Sequence, residues 1–414
     1  MPSPERHTHR GSAYVLVLAC ASIIAVVGVA GVLAARALRA SLVAHTSAAG
    51  SRVAAQSALE TTLAGASNTT AWRTSAAGGA YAANPNGMPR LTVAATDPVD
   101  LILDNELGDP VVLTSTADAT TALQRATLQL SPVSARAACT QYSICAQGDI
   151  TFDGTQILTR SGIHSNGNIS AIGGAVVGAN VSAVGTILGL TFQGTLAPLS
   201  PKVPIPGDSA LASYSKVGTK ITYSSIPSAS IDRMLISPVT NPYGATTNAD
   251  GIYVIDCTNR PLEIKNSRIL GTLVIINCTL LTLDKSICWE PARQDLPALV
   301  ANCPIEIKMD AKSFTESSVA RNMNPPGVPY RGLTNSTQTE TIASVLSGVY
   351  FTTGNVLFSS GNPTLEGRLI AGGTVTIKSS TVRFRENIAE LQIPGFQQFG
   401  AFTIAPATLR RAVD

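Results

Sequence analysis

"GVYFTTGNVLF" (Gly348–Phe358) is followed by "GRLIAGGTVTI" (Gly367–Ile377). Aligned without a gap, Gly348 falls on Gly367, Gly354 on Gly373, Val356 on Val375 and Phe358 on Ile377, while the positions between them differ. A period of about 20 residues that keeps the pattern and not the sequence is typical of solenoid repeats. "GIYVIDCTNRPLEI" from Gly251 and "GTLVIINCTLLTL" from Gly271 repeat the form, and "GIHSNGNIS" from Gly162 is a shorter copy. Each has a glycine, a short β segment, a break at Gly or Cys, and then alternating apolar residues.

One such unit makes no core by itself. Stacking copies along an axis buries their apolar faces against one another. The expected body is therefore mainly β, a right-handed parallel β-helix over 139–405, with glycines supplying the positive φ that sharp turns between faces require. An antiparallel sandwich would instead show hairpin spacing of about 8 to 12 residues and no longer period. "IDC" at Cys257, "INC" at Cys278 and "ANC" at Cys303 stand in the same phase, each just before an apolar-x-apolar strand. They are expected to stack as a core ladder of small apolar side chains. No His or CxxC pair accompanies them, so no metal site is assigned.

Composition agrees with many short strands and turns. Only 13% of the 414 residues are charged and 5% aromatic, with 34 Gly and 24 Pro. A net charge of +3 with dispersed Lys and Arg makes no footprint for nucleic acid.

The N-terminus sets the compartment. A basic stretch, "MPSPERHTHRG", precedes an uncharged span from Ala13 to Ala35, about as long as the roughly 20 residues that cross a bilayer. An uncleaved anchor is expected over a secretory signal, whose apolar region is usually about 7 to 15 residues. Residues 36–70 continue as a Pro-free, Ala-rich helix, with Leu38, Leu42, Ala49, Val53 and Leu59 at near-helical spacing. Residues 71–138 should form a small β-rich module, since "RLTVAATDP", "PVVLTST" and "LQRATLQL" alternate as strands do.

A basic leader ending in Gly11, an uncharged span directly after it, and an Ala-rich continuation containing "AAQSALE" resemble the N-termini of type IV pilin-like proteins, especially minor pilins and K-type pseudopilins. The resemblance implies cleavage after Gly11, Ser12 as the mature N-terminus, a cytoplasmic leader and an exported body on a single-pass inner-membrane anchor. Partners would be the membrane and proteins of a pilus or secretion system. The chain departs from that pattern at Leu16, where such proteins usually carry Glu, and at Ser12, where they carry an aromatic residue or Met. "NPYG" (Asn241–Gly244), "RILGTLVIIN" and "NPPGVPYRG" look like exported, pilin-leader proteins with β-solenoid bodies in planctomycete-type bacteria. The solenoid half is also similar to bactofilin-like, polymer-forming β-helices.

Cys139 and Cys145, in "CTQYSIC", are expected to close a short disulfide loop in an exported protein. Pro-rich excursions at 196–214 and 322–340 should project from the coils as loops, the second offering a binding surface. Catalytic signals are weak. Glycan-cleaving β-helices need clustered carboxylates, but no paired Asp run occurs, and His164 reads as a solvated turn residue. "SYSK" (Ser213–Lys216) lacks its companion motifs. "TTNADG" (Thr246–Gly251) reads as a turn and not as a calcium loop. The expectation is a structural protein without catalysis or cofactor, either pilin-like or a stand-alone anchored adhesin or scaffold; a polysaccharide-active enzyme is the third reading.

Overall fold

The computed structural model describes residues 10–68, 72–73, 81–82, 90–103, 108–119, 122–154, 156–159, 161–378, 381–385 and 393–413. Leader residues 1–9 lie outside that set. The chain divides into two compact units, residues 1–134 with 399–414, and residues 135–398.

The first unit is built on one helix, α1 (Arg10–Asn68), of 59 residues. At ~1.5 Å per residue it extends for roughly 90 Å. Ala-rich sequence without Pro favours this continuity, and internal hydroxyls fold back onto the helix, as Ser22 and Thr46 do in donating to the carbonyls of Leu18 and Leu42. The stretch from Tyr14 to Val43 leaves its apolar side chains exposed. Further along, Ser51, Ala55, Ala58, Leu59, Thr62 and Ala66 are buried. Their spacing is one face of a 3.6-residue helix, and they pack on the antiparallel strands Arg90–Thr96 and Val111–Ala119. Of the row expected from sequence, Leu59 belongs to this packing stripe, while Leu38, Leu42, Ala49 and Val53 are exposed. Small residues face the sheet because they let the helix backbone approach it.

Strand Ala122–Arg136 pairs antiparallel with Val111–Ala119, and the C-terminal strands Gln397–Ile404 and Arg410–Val413 both join it. This corrects the expected boundary at 405: the last strands complete the small sheet and not the solenoid. Val111, Leu113 and Leu130 have no exposed surface, and Trp72 packs edge-on against Phe402 with ring centroids 5.5 Å apart.

The second unit is a parallel β-solenoid, with 20 strands in its main sheet among the described residues. The two repeats predicted from sequence are neighbouring coils in register, with Gly348 beside Gly367, Val356 beside Val375 and Phe358 beside Ile377. Gly348 has φ 105, a left-handed value that disfavours a side chain, and a Cβ on Gly367 would run into the Gly348 carbonyl. The repeated glycine is thus where one coil's backbone lies directly against the next. Residues alternate in and out along each strand. Ile255, Ile275, Ile264, Leu283, Val356 and Val375 point into one continuous core.

Coil order does not follow chain order. Strand Ile144–Ala146 stacks on Ile163–Ser165, which stacks on Val181–Ala183 and then on Leu196–Ala197. The chain then returns to the opposite end at Thr219–Ile221 and winds back through Ile252–Leu270, Thr272–Glu290, Leu299–Ala301 and Val345–Thr352 to Thr364–Ala371. That last strand pairs with Ile144–Ala146 and closes the gap.

The returning segment is not the projecting loop expected at 196–214. It begins as a strand at Leu196–Ala197 and contains α2 (Asp208–Val217), whose Ala210 and Tyr214 are buried on one flank of the coils. The flank is apolar there, with Val254, Val274, Val300, Phe351 and Ile370 at the outward middle positions of successive strands. An apolar outer face needs a cover, and α2 together with Ile393 and Phe396 supplies it.

Candidate functional site

Three features of the described chain stand out from ordinary coil packing: the exposed half of α1, a lobe clamped by Arg268, and an open polar flank of the solenoid.

Helix α1 is long and apolar enough to cross a membrane, with mean hydropathy 2.8 over its most apolar window. The backbone of Gly11 and Ser12 lies in its first turn, and the segment from Ala13 to Ala35 is helical throughout. Leu16 is 66% exposed on that surface.

The second excursion, 322–340, is also more built than a loop. The Arg268 side chain is completely buried on strand Ile252–Leu270. Its Nη1 donates to the carbonyls of Met323 and Val328, and its Nη2 to the carbonyl of Pro329 and to Glu290 Oε1 at 2.8 Å. The Tyr330 ring lies 5.2 Å away. From the other side, buried Glu316 accepts from the backbone N–H groups of Met323 and Glu340. Leu235, Cys288, Phe314, Val319, Met323, Val328 and Ile342 form a separate apolar cluster beneath. Sequence reading missed both Arg268 and Glu316. A single charged residue in an alternating strand carries no local sign that its partners are carbonyls dozens of residues away.

The open flank carries Glu263, Thr282, Glu306 and Leu357 in one register column and Asp232, Lys265, Asp284 and Lys308 in the next. Lys265 and Lys308 pair with Glu263 and Glu306 at 2.5 and 2.9 Å. Partial burial opposes ionisation of both glutamates, but the paired lysines, and for Glu263 the Ser230 hydroxyl as well, outweigh it and hold the carboxyls below their usual range. Carboxylates neutralised in this way are poorly placed to act as a general acid.

The cysteines are structural in position. Cys257, Cys278 and Cys303 are buried in the main core, and the thiol of Cys278 hydrogen-bonds both neighbours. Those bonds, with burial, push the Cys257 and Cys303 thiols up. Cys139 and Cys145, the pair expected to form a disulfide, lie buried as thiols in the same flank cluster. Burial pushes Cys139 up to about 12. His164 is likewise no solvated turn residue. It is buried in strand Ile163–Ser165, where Nδ1 contacts Ser182 Oγ at 2.8 Å and Nε2 contacts Asn166 Oδ1 at 3.1 Å. The Tyr142 ring lies 5.0 Å from the imidazole, and Asn166 is itself held by the Val203 backbone.

Ser213 and Lys216 lie on α2, and the Ser213 hydroxyl donates to the carbonyl of Ser209. Asn248, inside "TTNADG", shapes a turn through its Oδ1, which accepts from the N–H groups of Asp250 and Ile252.

No protein-family model matches the chain, and no curated protein matches it in sequence. Three solved structures give distant likenesses. A competence-associated pilin, ComZ from Thermus thermophilus, is 10% identical at TM-score 0.35, covering 89% of this chain and 98% of that one. An ice binding protein from an Antarctic biological consortium is 12% identical at TM-score 0.30, covering 61% and 91%. The DUF3494 domain of a Shewanella frigidimarina ice-binding protein is 11% identical at TM-score 0.30, covering 62% and 99%.

Proposed function

We propose that the protein is a membrane-anchored, exported structural component, minor-pilin-like or pseudopilin-like, of a type IV pilus or type II secretion-like assembly. The observation that carries this reading is the division of labour along α1. Its first part is apolar on all sides and exposed, while its last part, from Ser51 to Ala66, is a stripe that packs on an antiparallel sheet. A span that only tethered a domain would need no rigid continuation into the body. One that has to hold a body at a fixed axial position in a lipid or protein environment does. The solenoid is then the exported face, held in the periplasm or at the cell surface.

The absence of catalysis belongs to this proposal. It is supported by the pairing of Glu263 and Glu306 with lysines and by the burial of His164. Mass spectrometry of the mature N-terminus, on membranes and on sheared surface material, tests the assignment. A chain starting at Ser12 supports it. A chain retaining residues 1–11 and confined to membranes replaces it with a stand-alone anchored scaffold, for which the open polar flank would be the contact surface.

A further inference from the structure

The loop between strands Arg90–Thr96 and Val111–Ala119 brings three carboxylates together. One ligand oxygen from each of Asp97, Asp100 and Asp109 can be chosen so that all lie within 4.8 Å of one another. Asp100 is exposed and Asp109 half-buried, but Asp97 has no exposed surface. Its Oδ1 accepts the Val99 N–H at 2.7 Å, and its Oδ2 is buried with no hydrogen-bond partner. A desolvated carboxylate oxygen without a donor is costly, because burial strips water from a charge and supplies nothing in return.

Arg73 is a neighbouring cation. Its guanidinium donates to the backbone carbonyls of Leu103 and Asp109, at 3.3 and 2.5 Å, and lies close enough to the Asp97 and Asp109 carboxylates to feel both. We propose that Asp97, Asp100 and Asp109 bind a calcium ion, with the orphaned Asp97 oxygen as its buried ligand. The donor set is all oxygen, which selects a hard cation over zinc or copper. Ligands at about 2.3–2.6 Å from calcium can stand up to about 5 Å apart, so the observed spread accommodates one shared ion. Magnesium, at about 2.0–2.1 Å and strictly octahedral, tolerates an irregular set of three carboxylates less well. The ion would tie Asp97, at the end of one strand, to Asp109, just ahead of the next, and so fix the loop between them.

The test uses the full chain in detergent after chelator treatment, titrated calorimetrically with calcium chloride and separately with magnesium chloride. Saturable calcium binding at one site, with a rise in the unfolding temperature of the wild type, is expected. Asp97→Asn and Asp100→Asn should each weaken it at least about ten-fold, as loss of a carboxylate ligand does. Asp100 is exposed, so that variant keeps its fold even if Asp97→Asn does not. Asp118→Asn, exposed on the adjoining strand, should leave binding unchanged. No calcium binding by the wild type, binding that survives Asp100→Asn, or binding of magnesium in preference to calcium would each overturn the assignment.

Discussion

Leu369 donates its backbone N–H to the carbonyl of Ser143 at 2.9 Å, joining the last full coil of the solenoid to the first. Side by side, Leu369, Ile370 and Ala371 lie in register with Ile144, Cys145 and Ala146. The body is therefore closed through its middle, and neither the 144–197 coils nor the 219–384 coils carry a complete stack alone. Leu369→Asp would put a charge into the seam without a partner. Loss of cooperative unfolding, read as two transitions in calorimetry where the wild-type solenoid gives one, is the expected outcome.

Close backbone contact between coils makes the repeat glycines sensitive to one added carbon. Gly367→Ala, which drives a Cβ into the Gly348 carbonyl, should cost about 1–3 kcal/mol in denaturant unfolding. Gly65→Ala, on α1 with open space around it, should have the opposite sign and stabilise by up to about 1 kcal/mol. Equal effects at the two sites would refute the packing argument.

Arg268 holds the 322–340 lobe through carbonyls that have no other donor from that side chain's position. Arg268→Met leaves the carbonyls of Met323, Val328 and Pro329 without it, whereas Glu290, partly exposed, can turn to water. A loss of about 1–3 kcal/mol is expected, the cost of leaving buried acceptors unsatisfied. Limited proteolysis should then cut within 322–340 at protease levels that leave the wild type whole.

Burial lowers the pKa of His164 below its ordinary 6.5, more than its hydrogen bond with Asn166 raises it. A histidine held neutral in the folded state binds its proton more readily when unfolded. Its contribution to stability is complete above about pH 6.5 and is lost as pH falls below it. The stability of His164→Gln should be flatter than that of the wild type between pH 7 and pH 5, about the range in which an ordinary histidine titrates.

Thiol chemistry follows from the same burial. With Cys139 and Cys288 each pushed up to about 12, neither forms the reactive thiolate at neutral pH. An alkylating reagent should label neither in the folded chain and both after unfolding. A Cys139–Cys145 disulfide found by non-reducing peptide mapping would contradict the separate thiols described above.

The repeat, the membrane-length helix and the strands of the small sheet were legible because each is a local pattern. Gly348 with Gly367 and Val356 with Val375 announce stacked coils, since a side-chain period of two and a recurring turn glycine are written within a few residues. An uncharged Ala13–Ala35 needs no fold to interpret. Other features are decided between segments far apart in the chain. Whether Leu38 or Ala55 faces the sheet depends on how closely two backbones approach, and how His164 is enclosed depends on Tyr142 and on Asn166, which Val203 holds through its N–H and its carbonyl. The seam at Ser143 and Leu369 has the same origin. All coils carry similar edges, so pattern alone permits any order of stacking. Tertiary structure selects the one that seats the return segment and α2 on an apolar flank that would otherwise face water.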